Sequence, residues 1–92
     1  MLFPSVIDEG LVHLFKYWDQ GVLQGMRVGG ELYTLLKSYP AEERLKAYSD
    51  AQEQIEAGES VCITASKSRY SVWLKLRLPE LVGLLSAALL VR

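Results

Sequence analysis

Few residues in this chain have the types and spacing that chemistry needs. Of its 92 residues one is a histidine and one a cysteine. His13 stands near Glu9, Lys16 and Tyr17 on the polar side of a helical pattern, the position of a solvated side chain rather than of a base or ligand. Glu42, Glu43, Glu53 and Glu56 could in principle pair as carboxylates, but no histidine accompanies them, and such runs ordinarily solubilise a helix. Cys62 has two readings. Near Lys75 and Arg77 its thiol would lean toward thiolate and be redox-sensitive; otherwise it is a small residue beneath a contact. There is no serine motif, no Cys/His zinc set, and no GxxxxGK[ST] or GxGxxG phosphate loop. Nothing assembles a triad, so the expectation is a protein that is not an enzyme, with no catalytic residue, cofactor or metal assigned.

Recognition gives the sharper signal. Trp73 lies among Arg69, Lys75 and Arg77, with Lys67 close by in sequence, and these five are the expected partner-binding residues. An exposed tryptophan with cationic neighbours suits an aromatic-plus-arginine anchor of a protein interface. It equally suits a stacking surface for nucleic acid, the alternative function. A covering helix, with the basic side chains reaching past it to water, is the third reading.

The element that must position these residues is Ser60–Leu78. From Arg69 onward, Tyr70, Val72, Leu74, Leu76 and Leu78 alternate with Arg69, Ser71, Trp73, Lys75 and Arg77. Upstream, Val61, Ile63 and Ala65 alternate with Ser60, Cys62 and Thr64, so two half-buried strands form a hairpin. Opposing Ala65 to Tyr70, Ile63 to Val72 and Val61 to Leu74 gathers the apolar residues on one face, and a one-residue slip would mix the faces. With no Gly or Asn in the turn, a four-residue loop from Ser66 to Arg69 is expected. Cys62, Trp73, Lys75 and Arg77 then share an outer, exposed face.

Around the hairpin the spacing predicts helices. Ser5 with Asp8 reads as a start signal, and Ile7, Leu11, Leu14, Phe15 and Trp18 recur at three and four, giving an amphipathic helix that stops at Gly21. Val22–Tyr39 is either one helix with Gly21, Gly25 and Gly29 along one side, or two pieces broken at Gly29 and Gly30. A third helix begins near Ser38 and Pro40 and runs to about Ala57, where Gly58 supplies the stop. Its apolar stripe is thin: Ala41, Leu45, Tyr48 and Ile55. After Pro79, Leu81–Val91 is apolar on every side but would reach only about 16 Å as a helix, too short for a bilayer core of about 30 Å. A helix of that kind suits a subunit contact through Leu81, Leu84, Leu85, Ala88 and Leu89, hence a homodimer.

The expected architecture is a single α+β domain over residues 1–92, ordered ααα-ββ-α. That order resembles winged helix-turn-helix domains, with Ser66–Arg69 in the place of the wing tip, but the helix that would enter the major groove is acidic.

Composition agrees with a folded chain: 50% of residues are apolar and 23% charged. The net charge of −1 hides an asymmetry. Residues 1–59 hold ten acids against five bases, whereas residues 60–92 hold five bases against Glu80 alone. Such a division suits an acidic partner or self-association. A lone cysteine and a start without a signal pattern point to a cytoplasmic setting. The functional expectation is a small regulatory interaction module that self-associates through its last helix and binds an unidentified protein partner through the hairpin.

Overall fold

Glycine-containing turns and aromatic strands, rather than helices, build the first half of the molecule. The computed structural model describes residues 4–76. In chain order the elements are β1 (Ser5–Asp8), a 3-10 turn (Glu9–Leu11), β2 (His13–Trp18), β3 (Val22–Val28), β4 (Glu31–Pro40), a second 3-10 turn (Ala41–Glu43), α1 (Arg44–Glu56), β5 (Val61–Ala65) and β6 (Arg69–Lys75). They form one six-stranded mixed sheet in the order β1-β5-β6-β4-β3-β2, with α1 the one α-helix among the described residues. The expected α+β order ααα-ββ-α is therefore overturned, and the winged-helix likeness with it. The predicted C-terminal helix at Leu81–Val91 lies outside the described residues.

Turn chemistry explains the first correction. Val28 faces Glu31 across a two-residue turn, and Gly29 takes φ 60° at its first position, where II′ hairpins place glycine. Trp18 faces Val22 across a three-residue turn in which Gln20 also has φ 60°. Both turns reverse the chain after a strand, so β2, β3 and β4 run as an antiparallel meander. His13–Trp18 contains three aromatic residues in six, the composition of a strand that packs on a pleated surface.

The second half behaves as the alternation dictates. β5 and β6 pair with Ala65 opposite Tyr70, Ile63 opposite Val72 and Val61 opposite Leu74, the register that the faces require. The reversal is held by Ser66, whose N–H donates to the Arg69 carbonyl at 2.9 Å while its hydroxyl accepts from the Arg69 N–H at 3.2 Å. β6 then inserts between β5 and β4, antiparallel to both, so β4 and β5 run parallel and α1 is the crossover between them. β1 adds in parallel on the far side of β5.

α1 follows two glutamates, Glu42 and Glu43, and ends before Gly58. It lies on the sheet through Ala47 and Ala51, one turn apart and both fully buried. These small side chains let the helix settle close over Tyr39, Ile63 and Val72, with Tyr48, Val61 and Tyr70 at the margin. Leu45, expected in the apolar stripe, is 76% exposed instead. The opposite face of the sheet has a second core of Met26, Cys62 and Trp73, flanked by Ile7, Val12, Val28, Tyr33 and Leu35. Both faces of β5 and β6 are thus buried, each large side chain contributing about 1.5–3 kcal/mol. An irregularity at Leu35–Lys37 in β4 connects the two cores: it leaves Leu35 facing Trp73 on one side of the sheet while Tyr39 faces α1 on the other.

Candidate functional site

The residues expected to form a contact surface are engaged within the fold. Trp73 is 2% exposed, and its indole N–H donates to the Thr64 hydroxyl at 2.8 Å. It is a core residue, and the exposed-anchor expectation is corrected: the tryptophan sits on the outer-face register positions as expected, but that face is covered. Arg69 donates from Nε and Nη2 to Oε1 of Glu9 at 3.0 and 2.7 Å. Lys75 pairs with Glu31 at 3.2 Å, and Tyr33 donates to the other oxygen of the same carboxylate at 3.1 Å. Lys67 is exposed at the β5–β6 tip. Arg77, with Leu81, Leu84, Leu85, Ala88 and Leu89, lies outside the described residues. Among the described residues, Trp73, Arg69, Lys75 and Lys67 are therefore not gathered into one open surface.

These partners set the ionisation of the groups involved. The hydrogen bonds from Lys75 and Tyr33 hold the Glu31 carboxyl below its ordinary value. Burial, with Glu31 next to it, pushes the Tyr33 phenol up to about 12. Burial, then the hydrogen bond to Asp50, raises Tyr39 as well. Cys62 also moves up, because burial disfavours its thiolate. Of the basic residues expected to activate it, Lys75 is turned to Glu31 and Arg77 lies outside the described residues, while Cys62 faces Trp73 in the second core.

Among the described residues no three His, Cys, Asp or Glu side chains converge as a metal-binding group. A shallow cleft of about 180 Å³ lies between Gly58–Ser60 and Lys75–Leu76, smaller than the roughly 300 Å³ at which small-molecule sites begin. No helix among them is long and apolar enough to cross a membrane.

The surface that stands out is one that sequence spacing did not assign, the outer hairpin β2–β3. Trp18 and Val22 face each other at its tip, 59% and 66% exposed, and Leu14 and Leu23 are 42% and 39% exposed. Residues opposite one another share a face, so Leu14, Lys16, Trp18, Val22 and Gln24 line the side of the sheet that carries Trp73. His13, Phe15, Tyr17, Leu23 and Arg27 line the α1 side, beyond the strands that the helix covers. The ring of Phe15 lies against Gly25 so closely that a Cβ there would overlap it, and the Tyr17 hydroxyl donates to that of Thr34 at 2.7 Å. Phe15 and Tyr17 are thereby fixed on the hairpin, whereas Trp18 is left to solvent. Three aromatics in six residues, followed by Gly21 and, after a second strand, by Gly29-Gly30, was the signal available in sequence.

No family model, curated protein or solved structure matches the chain.

Proposed function

We propose that the protein is a non-catalytic interaction module that binds a protein partner through its outer hairpin, β2–β3. One observation carries this reading: Trp18 and Val22, directly opposed, are both more than half exposed at the tip of a hairpin whose other aromatics are packed down. Tryptophan is the residue type most enriched among interface hot spots, and an apolar cross-strand pair left in water favours being covered. The reading transfers the anchor role from Trp73 to Trp18 and needs none of the residues from Arg77 onward.

The nucleic-acid alternative has less support. Of the cations expected to meet phosphate, Arg69 and Lys75 are already paired with carboxylates, and the Trp73 ring cannot stack on a base.

The test is affinity capture from the native source with the wild-type chain and with Trp18→Ser and Val22→Asp, each run with and without nuclease. A protein captured by wild type, lost with both variants and indifferent to nuclease is the expected result. Capture that persists in both folded variants, or that vanishes on nuclease treatment, overturns the proposal. Circular dichroism establishes that the variants fold; their positions in solvent give no reason for collapse.

A further inference from the structure

β2 ends the sheet. In the strand order it has β3 on one side and, among the described residues, no strand on the other. Its six residues are longer than the four of β1, the opposite edge, where Asp8 is occupied in accepting a hydrogen bond from the Gly10 N–H at 2.8 Å. An unpaired edge presents main-chain N–H and C=O groups at alternate residues, a template for one further strand.

Charge decides which strand. From Gly10 to Gly30 the sole acid is Asp19, against Lys16 and Arg27. Neither Lys16 nor Arg27 has an acidic partner among the described residues. They project on opposite sides of the sheet: Lys16 opposes Gln24 on the Trp73 side, and Arg27 opposes His13 on the α1 side. An added strand therefore meets Lys16 between Leu14 and Trp18 on one face, and Phe15 and Tyr17 on the other, with Arg27 one strand behind the edge. A second copy of β2 paired about Lys16 would set that lysine against its own kind, and a lysine within an edge strand is a known guard against such self-pairing. A carboxylate on the incoming strand turns the same lysine from a guard into a contact.

We infer that the outer edge of β2 takes up an extended acidic segment of a partner protein, with carboxylates alternating with apolar residues, by strand addition beside Lys16. This rests on the reading of the outer hairpin as the binding surface and adds the chemistry of the partner. The main chain supplies the ladder, Lys16 selects the carboxylates on the Trp73 side, and Phe15 and Tyr17 meet the apolar residues, which the alternation of a strand turns to the α1 side.

The probe is a capped peptide of alternating valine and glutamate, about six residues long as strands usually are, titrated into the isotope-labelled full chain. Its lysine counterpart and a form methylated on alternate backbone nitrogens serve as controls. The expected result is saturable shifts in the amide signals of residues 13–18 with the glutamate peptide, binding weaker by roughly an order of magnitude with the lysine peptide, and none with the methylated form. Lys16→Glu should reverse the preference between the charged peptides. Equal binding of both, binding of the methylated form, or silence at residues 13–18 overturns the inference. So does concentration-dependent change at those amides without peptide, which would mark a second copy as the occupant. Partner capture that depends on Trp18, together with no peptide effect on β2, would remove the edge inference and leave the interaction reading standing.

Discussion

Trp73 and Thr64 sit diagonally across the β5–β6 pair, the indole N–H donating to the threonine hydroxyl at 2.8 Å with both residues sealed from solvent. The bond is what allows a polar indole edge to lie in a core of Met26 and Cys62. Thr64→Val keeps the shape and removes the acceptor, and should cost about 1–3 kcal/mol in urea unfolding because a buried donor is left unmet. Thr64→Ser keeps the hydroxyl and should cost less. Trp73→Ala should cost about 3–5 kcal/mol, so that folding is lost before any binding is. A well-folded Trp73→Ala with wild-type stability would return this residue to the surface.

The parts of the fold visible in the sequence are those where one period acts alone. β5 and β6 alternate without interruption, and their register can be written from the faces because every slip mixes Ile63 and Val72 with Thr64 and Ser71. α1 was also legible as a helix between Pro40 and Gly58, although its buried side was not: Ala47 and Ala51 are too small to mark a stripe, and Leu45, which looks like part of one, is exposed. The meander was hidden for a different reason. β2 has apolar residues on both faces, Leu14 and Trp18 on one and Phe15 and Tyr17 on the other, so its period of two blurs into spacings of three and four. In β4 the irregularity at Leu35–Lys37 breaks the alternation and makes Leu32, Tyr33, Leu35, Leu36 and Tyr39 imitate a helix. The exposed site was lost along with the strand that carries it. The same cause hid the burial of Trp73, since a hairpin read alone must have an open face, and only the other strands and α1 show that both of its faces are covered.

The two shifted tyrosines make stability depend on alkaline pH. Burial raises both, with Asp50 bonded to Tyr39 and Glu31 to Tyr33. In the unfolded chain each titrates near pH 10. Their neutral forms therefore favour folding, and the contribution is fully present below about pH 10 and lost as pH rises through the folded values, about 12 for Tyr33 and higher for Tyr39. Urea midpoints followed from about pH 8 to about pH 12 should fall more steeply for wild type than for Tyr39→Phe, closing the gap that the lost hydroxyl opens at neutral pH. Parallel curves for the two proteins would mean that the Tyr39–Asp50 contact does not discriminate between phenol and phenolate.

The seat of α1 on the sheet gives a paired test of the helix face. Ala51 is fully buried against the cluster of Tyr39, Ile63 and Val72, with no space on its Cβ for more atoms unless the helix lifts. Ala51→Leu should destabilise by about 1–3 kcal/mol through overpacking, and Ala47→Leu similarly. Leu45→Ala, by contrast, removes a side chain that is 76% exposed and should stay within about 0.5 kcal/mol of wild type. Thermal or urea unfolding of the three variants decides between the alanine face and the leucine stripe. If Leu45→Ala were the damaging change and Ala51→Leu the tolerated one, α1 would have to be turned on its axis, and Asp50, one residue away, could no longer reach the Tyr39 hydroxyl.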